Sequence, residues 1–532
     1  MIVLMVALAG AELTRLIRTL LSRYTNEDHA LLWLAASDWM RLRPREPTFY
    51  GQPYGVTFEA IPVGLMNLLG ISFGTAFPVA LIGMALVAWV LLAAAALKRG
   101  LWLGALFAAA APVLLSTDHW IIVGVIGTGV GRLLAAVSLS IVLVPTRNPI
   151  YVGLAIAAGT YAVAIDTAAI MIAVPGLVWG VFDWIKLRRR FVIPALLGVV
   201  PAVAWRLYLM WYEAKYADHA LHGGWDANPD VASLIANYTN LDQLFAVHAP
   251  ELLRYGVVYL GCGALALVLA VAALQLRAIL TVASYVGLLV LLAAMPKSLD
   301  GSPSLWFPHA RMTIAAPIGL WFILTISVHA CAQRWLRAEL LAGPIVRIGL
   351  PVLLFCVLAT TSVSRASTWN ERMHAIESVG LERGPISLRQ VEAVYALCST
   401  VTRVAQENQT RIVLFPGNRA ANYACAALDR SLLTATPDYE RRYWVLRSLA
   451  KKSVTRMIVW DVPAKQCRSK RYRRAVKACV PVADGAAVLL EFEPRPALDV
   501  IHQLNFRVRP FGPGCHPITR VGCEWWAARW AS

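Results

Sequence analysis

The chain has 532 residues, of which 58% are hydrophobic and 15% charged, with a mean hydropathy of +0.59. Soluble domains carry about 25% charged residues, so this composition excludes a chain that is soluble throughout and puts most of it in lipid. The formal charge of +18 is uneven: positions 363–532 hold 26 Lys and Arg against 14 Asp and Glu. A basic region tethered to a bilayer faces anionic head groups or acidic glycans more simply than nucleic acid.

A helix needs about 20 apolar residues to cross the ~30 Å hydrocarbon core. In chain order, apolar segments are predicted at about 1–21, 73–97, 101–117, 120–144, 149–165, 167–183, 191–212, 252–276, 278–295, 312–332 and 344–362, eleven spans in all. The first carries Glu12, Arg15 and Arg18 on one helical stripe and has no small-residue cleavage site, so it does not read as a signal peptide. Either the natural start lies upstream or this stripe packs inward. With an odd number of spans the termini lie on opposite sides. Placing the N-terminus in the cytoplasm puts Lys98, Arg99, Arg147, Lys186, Arg188, Arg189, Arg190, Arg277, Arg334 and Arg337 in short cytoplasmic loops. The longer opposite loops carry Arg41, Arg43, Arg45, Lys215, Lys297 and Arg311, which is the bias that the positive-inside rule expects. Inside the spans, Arg132 and Asp166 need partners or water, so they pair with each other or face a wet cavity. Gly124, Gly127 and Gly131 are spaced for close helix approach.

The first outer loop is the most informative stretch. It opens with Asn26-Glu27-Asp28-His29 and continues through Phe49-Tyr50-Gly51-Gln52-Pro53-Tyr54-Gly55-Val56-Thr57-Phe58-Glu59 into an amphipathic segment, Phe58–Leu69, too short to span. A reaction that deprotonates a hydroxyl needs a general base, and Asp28 or Glu27 can supply one at the membrane face. The same residues also suit the N-cap of a helix near His29–Met40. The next outer loop holds Ser116-Thr117-Asp118-His119-Trp120, where Asp118 either orients an acceptor, a donor or a metal, or caps the following helix. His119 fits a hydrogen-bonded boundary residue. Arg311, in Pro308-His309-Ala310-Arg311-Met312, suits a leaving lipid phosphate, and equally an interfacial arginine that snorkels.

Beyond residue 363 the pattern is that of a soluble α/β domain. A helix is expected near 387–406 and strands at Arg411–Phe415, Met457–Trp460 and Ala487–Phe492. Gly417 reads as a turn. The run Lys465–Lys477, with seven basic residues, reads as a solvated face. Cys262, Cys331 and Cys356 sit in apolar segments, whereas Cys398, Cys425, Cys467, Cys479, Cys515 and Cys523 fall in the polar third, which predicts disulfides and an oxidising compartment. No CxxC or HExxH spacing occurs, so no structural metal site is expected. The expected domains are a membrane-embedded 1–362 and a soluble, disulfide-bonded 363–532.

Asp28, followed by Tyr50-Gly51-Gln52-Pro53-Tyr54-Gly55 and Glu59 ahead of a juxtamembrane segment, resembles the GT-C membrane glycosyltransferases. The resemblance is to the bacterial branch related to protein O-mannosyltransferases and lipid A aminoarabinose transferases. The layout is also similar: short paired helices after the first loop, a long mid-chain outer loop and a soluble region after the last helix. Many relatives have Asp-Glu where this chain has Asp28-His29, and an Arg-Tyr pair where Met312 follows Arg311.

The resemblance implies a polytopic α-helical membrane protein of about eleven transmembrane helices with a C-terminal extracytoplasmic α/β domain. It implies a bacterial inner membrane, a cytoplasmic N-terminus and a periplasmic C-terminal domain. The implied activity moves a sugar from a polyprenyl-phosphate donor to a cell-envelope glycan, lipid or protein. Asp28, Glu27 and Asp118 would be catalytic, Tyr50, Gln52, Tyr54, Glu59 and His119 would shape the sugar site, and His309 and Arg311 would hold the lipid phosphate. No cofactor follows from any motif, and a divalent cation stays open. Two other functions remain: a transporter or flippase of lipid-linked sugars, which would show inverted repeats and broken helices, and a non-catalytic envelope assembly protein.

Overall fold

The structure is a computed structural model that describes residues 1–52, 55–125, 129–144, 148–216, 229–239, 245–253, 255–295, 312–335, 349–378, 389–437, 440–504 and 506. The helices begin with α1 (Ile2–Leu16), α2 (Glu27–Met40), α3 (Ala60–Leu68), α4 (Phe73–Lys98), α5 (Trp102–Leu114), α6 (Thr117–Val125), α7 (Gly129–Leu143) and α8 (Pro149–Ile165). The strands are β1 (Tyr24–Thr25), β2 (Arg389–Gln390), β3 (Ile412–Leu414), β4 (Leu433–Ala435), β5 (Ser453–Trp460), β6 (Ala478–Val482) and β7 (Ala487–Pro496).

Among the described residues, five helices are long and apolar enough to cross a bilayer: α4, Thr167–Leu187, Val192–Lys215, Leu276–Ala293 and Ala316–Trp335. Shorter apolar helices are α5, α8, Val257–Ala272 and Leu350–Arg365. This is a multi-pass membrane protein. The single span expected at 120–144 is instead two helices, α6 and α7, bent by 112°. The amphipathic segment after the first loop is the short helix α3, as its length indicated.

The chain forms two compact units. The first holds the described residues of Met1–Leu21, Pro78–Tyr208 and Trp225–Val379. In it α7 packs on α8 and on Ile170–Trp184, and Val257–Ala272 packs on Ala316–Trp335. Small residues allow these approaches: a Cβ on Gly124 would meet the Leu21 side chain, and one on Gly131 would meet Asp166. Gly127, the third of the expected packing glycines, lies outside the described residues.

The second unit holds the described residues of Ser22–Phe77, Leu209–Gly224 and Gly380–Ser532. Its centre is a five-stranded sheet in the order β4-β3-β5-β7-β6. Strand β3 runs parallel to β4 and β5, while β5–β7 and β7–β6 are antiparallel. The parallel pairs need crossovers, which the helices Arg419–Leu428 and Tyr443–Lys451 provide. Leu414, Met457, Val459, Val488 and Leu490 form the sheet's core with Val500 and Ile501 from the last helix.

The strands expected from sequence correspond to β3, β5 and β7. Strand β4, Leu-Thr-Ala, lacks the apolar run that marks the equally short β3, and β6 contains Pro481, so neither carries a readable strand pattern. The first loop belongs to this unit. Here α2 packs on Arg419–Leu428, Tyr24 pairs with Gln390 across β1 and β2, and the Trp33 ring stacks on Tyr395 at 5.8 Å. Disulfides join Cys398 to Cys425 and Cys467 to Cys479. Cys515 and Cys523 lie outside the described residues.

Candidate functional site

The acids of the first loop sit at the start of α2. Asn26 caps this helix, its side-chain oxygen accepting from the His29 amide at 2.9 Å. Glu27 and Asp28 therefore occupy the first turn, where the helix dipole favours negative charge, and leave the capping position to Asn26. Arg441 donates to Asp28 at 2.9 Å and to Glu27 at 3.4 Å, and Arg419 reaches Glu27 at 3.2 Å. The Arg441 side chain is 6% exposed and both acids are 22% exposed, so the guanidinium is buried while the acids stay partly open to water.

The rest of the loop is fastened to the same place. Gly51 has φ +75°, and a Cβ there would fall on the backbone and Cβ of Arg441. Only glycine permits both the left-handed conformation and the close approach. The Gly51 amide donates to Glu46 at 2.9 Å, and burial pushes the Glu46 carboxyl well above the usual carboxylate range. Tyr50 donates to Asp38 at 3.0 Å, and Asp38 also pairs with Arg430. Burial raises the Asp38 pKa against the opposing pull of Arg430, and likewise raises that of the Tyr50 phenol. Gln52 is buried in the turn that its amide closes on Phe49 at 2.8 Å. Glu59 is fully buried at the start of α3. Tyr54 lies outside the described residues.

The second outer-loop motif belongs to the other unit. Ser116 accepts from the His119 amide at 3.0 Å, so Asp118 sits in the first turn of α6 and is buried there. Glu251 accepts from the Thr117 amide at 2.6 Å and its hydroxyl at 3.2 Å. Arg365 lies 3.9 Å from Glu251 and donates to the carbonyls of Val113, at 2.6 Å, and Leu115. The Nδ1 atoms of His119 and His248 are 2.9 Å apart, so one must donate while the other accepts, and the two rings are not both doubly protonated. Arg132 and Asp166 are both buried and close enough for Arg132 to act electrostatically on Asp166.

Beside this cluster is a cavity of about 780 Å³ lined by Trp89, Leu103, Phe107, Ala111, Trp321 and Leu324, among others. It is bordered along the whole of α5, from Gly100 and Leu101 to Leu115 and Pro250, a distance of about 20 Å at 1.5 Å per residue. Leu115 and Pro250 are bridged to each other, and they directly precede Ser116 and Glu251 in sequence. The lining of this largely apolar cavity thus includes the immediate sequence neighbours of two buried polar residues.

His309 and Arg311 lie outside the described residues. Among the described residues no three His, Cys, Asp or Glu side chains gather as a metal site. Sequence reasoning missed Arg441, Arg419, Asp38 and Glu46 around the first loop, and His248, Glu251 and Arg365 around the second. The only local signals were the charged run Glu440-Arg441-Arg442 and the polar His248–Glu251 stretch just ahead of a predicted span.

No family model and no curated protein sequence matches the chain. A solved structure does: ArnT from Cupriavidus metallidurans bound to undecaprenyl phosphate, with a TM-score of 0.51 and 11% identity, covering 93% of this chain and 99% of that one. At this identity the match speaks for the fold. The chain has the fold of this ArnT structure.

Proposed function

We propose that this protein is a membrane glycosyltransferase that takes a sugar from a polyprenyl-phosphate donor and gives it to a cell-envelope glycan, lipid or protein. The observation that carries this reading is the apolar cavity along α5, whose lining includes Leu115 and Pro250, the residues just ahead of the buried polar residues Ser116 and Glu251 in sequence. A long isoprenoid tail needs an apolar channel, and its phosphate-sugar head needs polar groups at the end of that channel. The shared fold with a protein captured with undecaprenyl phosphate supports the same ligand class.

In the proposed reaction the acceptor hydroxyl oxygen attacks the anomeric carbon of the donor sugar. The bond from that carbon to the phosphate oxygen breaks, and polyprenyl phosphate leaves with the electron pair. The hydroxyl proton goes to the Asp28 carboxylate, which Arg441 orients. Glu27 and Asp118 support this chemistry. Tyr50, Gln52, Tyr54, Glu59 and His119 shape the sugar site, and His309 and Arg311 stabilise the charge on the departing phosphate. In this reading residues 1–362 form the membrane-embedded transferase domain of a bacterial inner-membrane protein, with a cytoplasmic N-terminus. Residues 363–532 form a periplasmic domain.

The reading is tested with the full chain in lipid discs, supplied with polyprenyl-phosphate sugars and an envelope extract, by following release of polyprenyl phosphate. Ala111→Trp narrows the cavity and should raise the KM for the donor by about tenfold while leaving kcat near its original value. An unchanged KM would remove the cavity from the account.

A further inference from the structure

The second unit contains a cavity of about 610 Å³ that the transferase reading does not use. It lies against the starts of β3, β4 and β5 and is lined by six cationic residues from five segments, Arg41 and Arg45 from the stretch after α2 and Arg411, Arg430, Arg442 and Lys452 from one each. Two carboxylates pair with members of this set, Asp38 with Arg430 and Glu440 with Arg442. That leaves a surplus of four positive charges. Arg41 and Lys452 cap helix C-termini, and Arg430 lies just past one. Each terminus contributes about half a negative charge, so a surplus of more than two remains. The crowding has an electrostatic signature: burial lowers the Arg430 pKa, and Arg45 and Arg41 add to that shift by repulsion against the pull of Asp38. Like charges are not gathered around a concavity at no cost, so a counter-charge is expected inside.

The lining also identifies the kind of anion. Of the four cations that are not paired with a carboxylate, Arg41, Arg45 and Arg411 are arginines, whose planar forks suit bidentate recognition of phosphate. A phosphomonoester brings about two negative charges at pH 7, which matches the surplus better than one carboxylate does. The half-buried Trp444 lines the same cavity, with Arg45 over its ring at 5.7 Å and Tyr50 edge-on at 5.1 Å. An indole beside a cation gives a platform for the apolar face of a sugar ring, and Ser448 belongs to the same lining.

We propose that this arginine-rich cavity, with Trp444 at its wall, is a binding site for a phosphate-bearing saccharide, either free or as the head group of a lipid. The proposal is independent of Asp28 chemistry, because binding is read without any sugar donor. The test is calorimetric titration of the full chain, in discs of neutral lipid, with glucose 1,6-bisphosphate and with glucose. The intact chain should bind the bisphosphate and not glucose, and Arg45→Gln/Arg411→Gln should weaken binding by about tenfold or more with an unchanged melting curve, since both side chains are exposed. Arg471→Gln/Arg473→Gln, on the exposed basic run, should change it by less than about twofold. Repeating the titration in discs that contain phosphatidylinositol 4-phosphate separates the sources: competition assigns a lipid head group, and its absence assigns a soluble saccharide. Absence of binding to the intact chain, equal binding by the cavity variant, or equal weakening by the basic-run variant would overturn the proposal.

Discussion

The Arg441 guanidinium reaches across 413 positions of sequence to lie 2.9 Å from the Asp28 carboxylate. With its other nitrogen on Glu27 and its backbone against Gly51, Arg441 fixes both elements of the loop motif, the acid and the glycine turn, at one point of the second unit. Removing the guanidinium leaves two partly buried carboxylates without this counter-charge and frees the loop. Arg441→Met should therefore lower sugar transfer by about tenfold to a hundredfold and stability by about 1–3 kcal/mol, with Arg441→Lys intermediate. Steady-state kinetics alongside thermal melts would separate the two effects: a fall in transfer with no change in melting would assign Arg441 to orientation alone.

Gly51→Ala tests the same junction from the loop side. The added methyl needs an unfavourable φ of +75° and occupies the space of the Arg441 backbone. Its cost should exceed the roughly 1 kcal/mol of an ordinary Gly→Ala change at positive φ. A melting temperature equal to that of the native protein would mean that the loop seats without this contact.

Glu46 gives a pH signature. Its folded pKa lies well above the ordinary value of 4.5 because it is fully buried. Above about pH 4.5 the unfolded chain loses this proton while the folded chain keeps it, so stability falls as pH rises from 4.5 through the raised folded pKa. Asp38, also raised by burial, acts with the same sign. Glu46→Gln mimics the protonated side chain. Melting curves of the variant and native protein should coincide near pH 4 and diverge with rising pH, the variant being the more stable near pH 8; divergence on the acid side would contradict the burial argument.

The two disulfides should differ in weight. Cys398–Cys425 closes 27 residues between two helices and is buried, whereas Cys467–Cys479 closes 12 and is partly exposed. Loop-closure entropy gives about 3.5 kcal/mol for the first and about 3 for the second, and the cavity left by losing the buried pair adds to the first. Cys398→Ser/Cys425→Ser should lower the melting temperature more than Cys467→Ser/Cys479→Ser, with reductant producing the sum. The reverse order would show that the sheet edge at β6 limits stability.

Much of this architecture was legible because it rests on local pattern. Long apolar runs marked the helices, short apolar runs marked β3, β5 and β7, and the spacing of Gly124 and Gly131 marked close approach. The first-loop motif led to the expected membrane-transferase architecture, and the ArnT structure has the same fold as this chain. What could not be read was long-range. Nothing local joins Asp28 to Arg441, Tyr24 to Gln390 or Thr117 to Glu251, because each contact is set by packing between segments far apart in sequence. The helix caps were misjudged for a subtler reason: Asn26 and Ser116 stand two positions ahead of the acids that looked like caps, and they are equally good at the role.

The most direct test of the account is sugar transfer to envelope glycolipid and glycan in membranes carrying the intact chain or Asp28→Asn, matched for folded protein. The account predicts a product with the intact chain and its loss by about a hundredfold or more with Asp28→Asn, the contribution of a general base. Equal product from both, or none from the intact chain across several polyprenyl-linked donors, would contradict it.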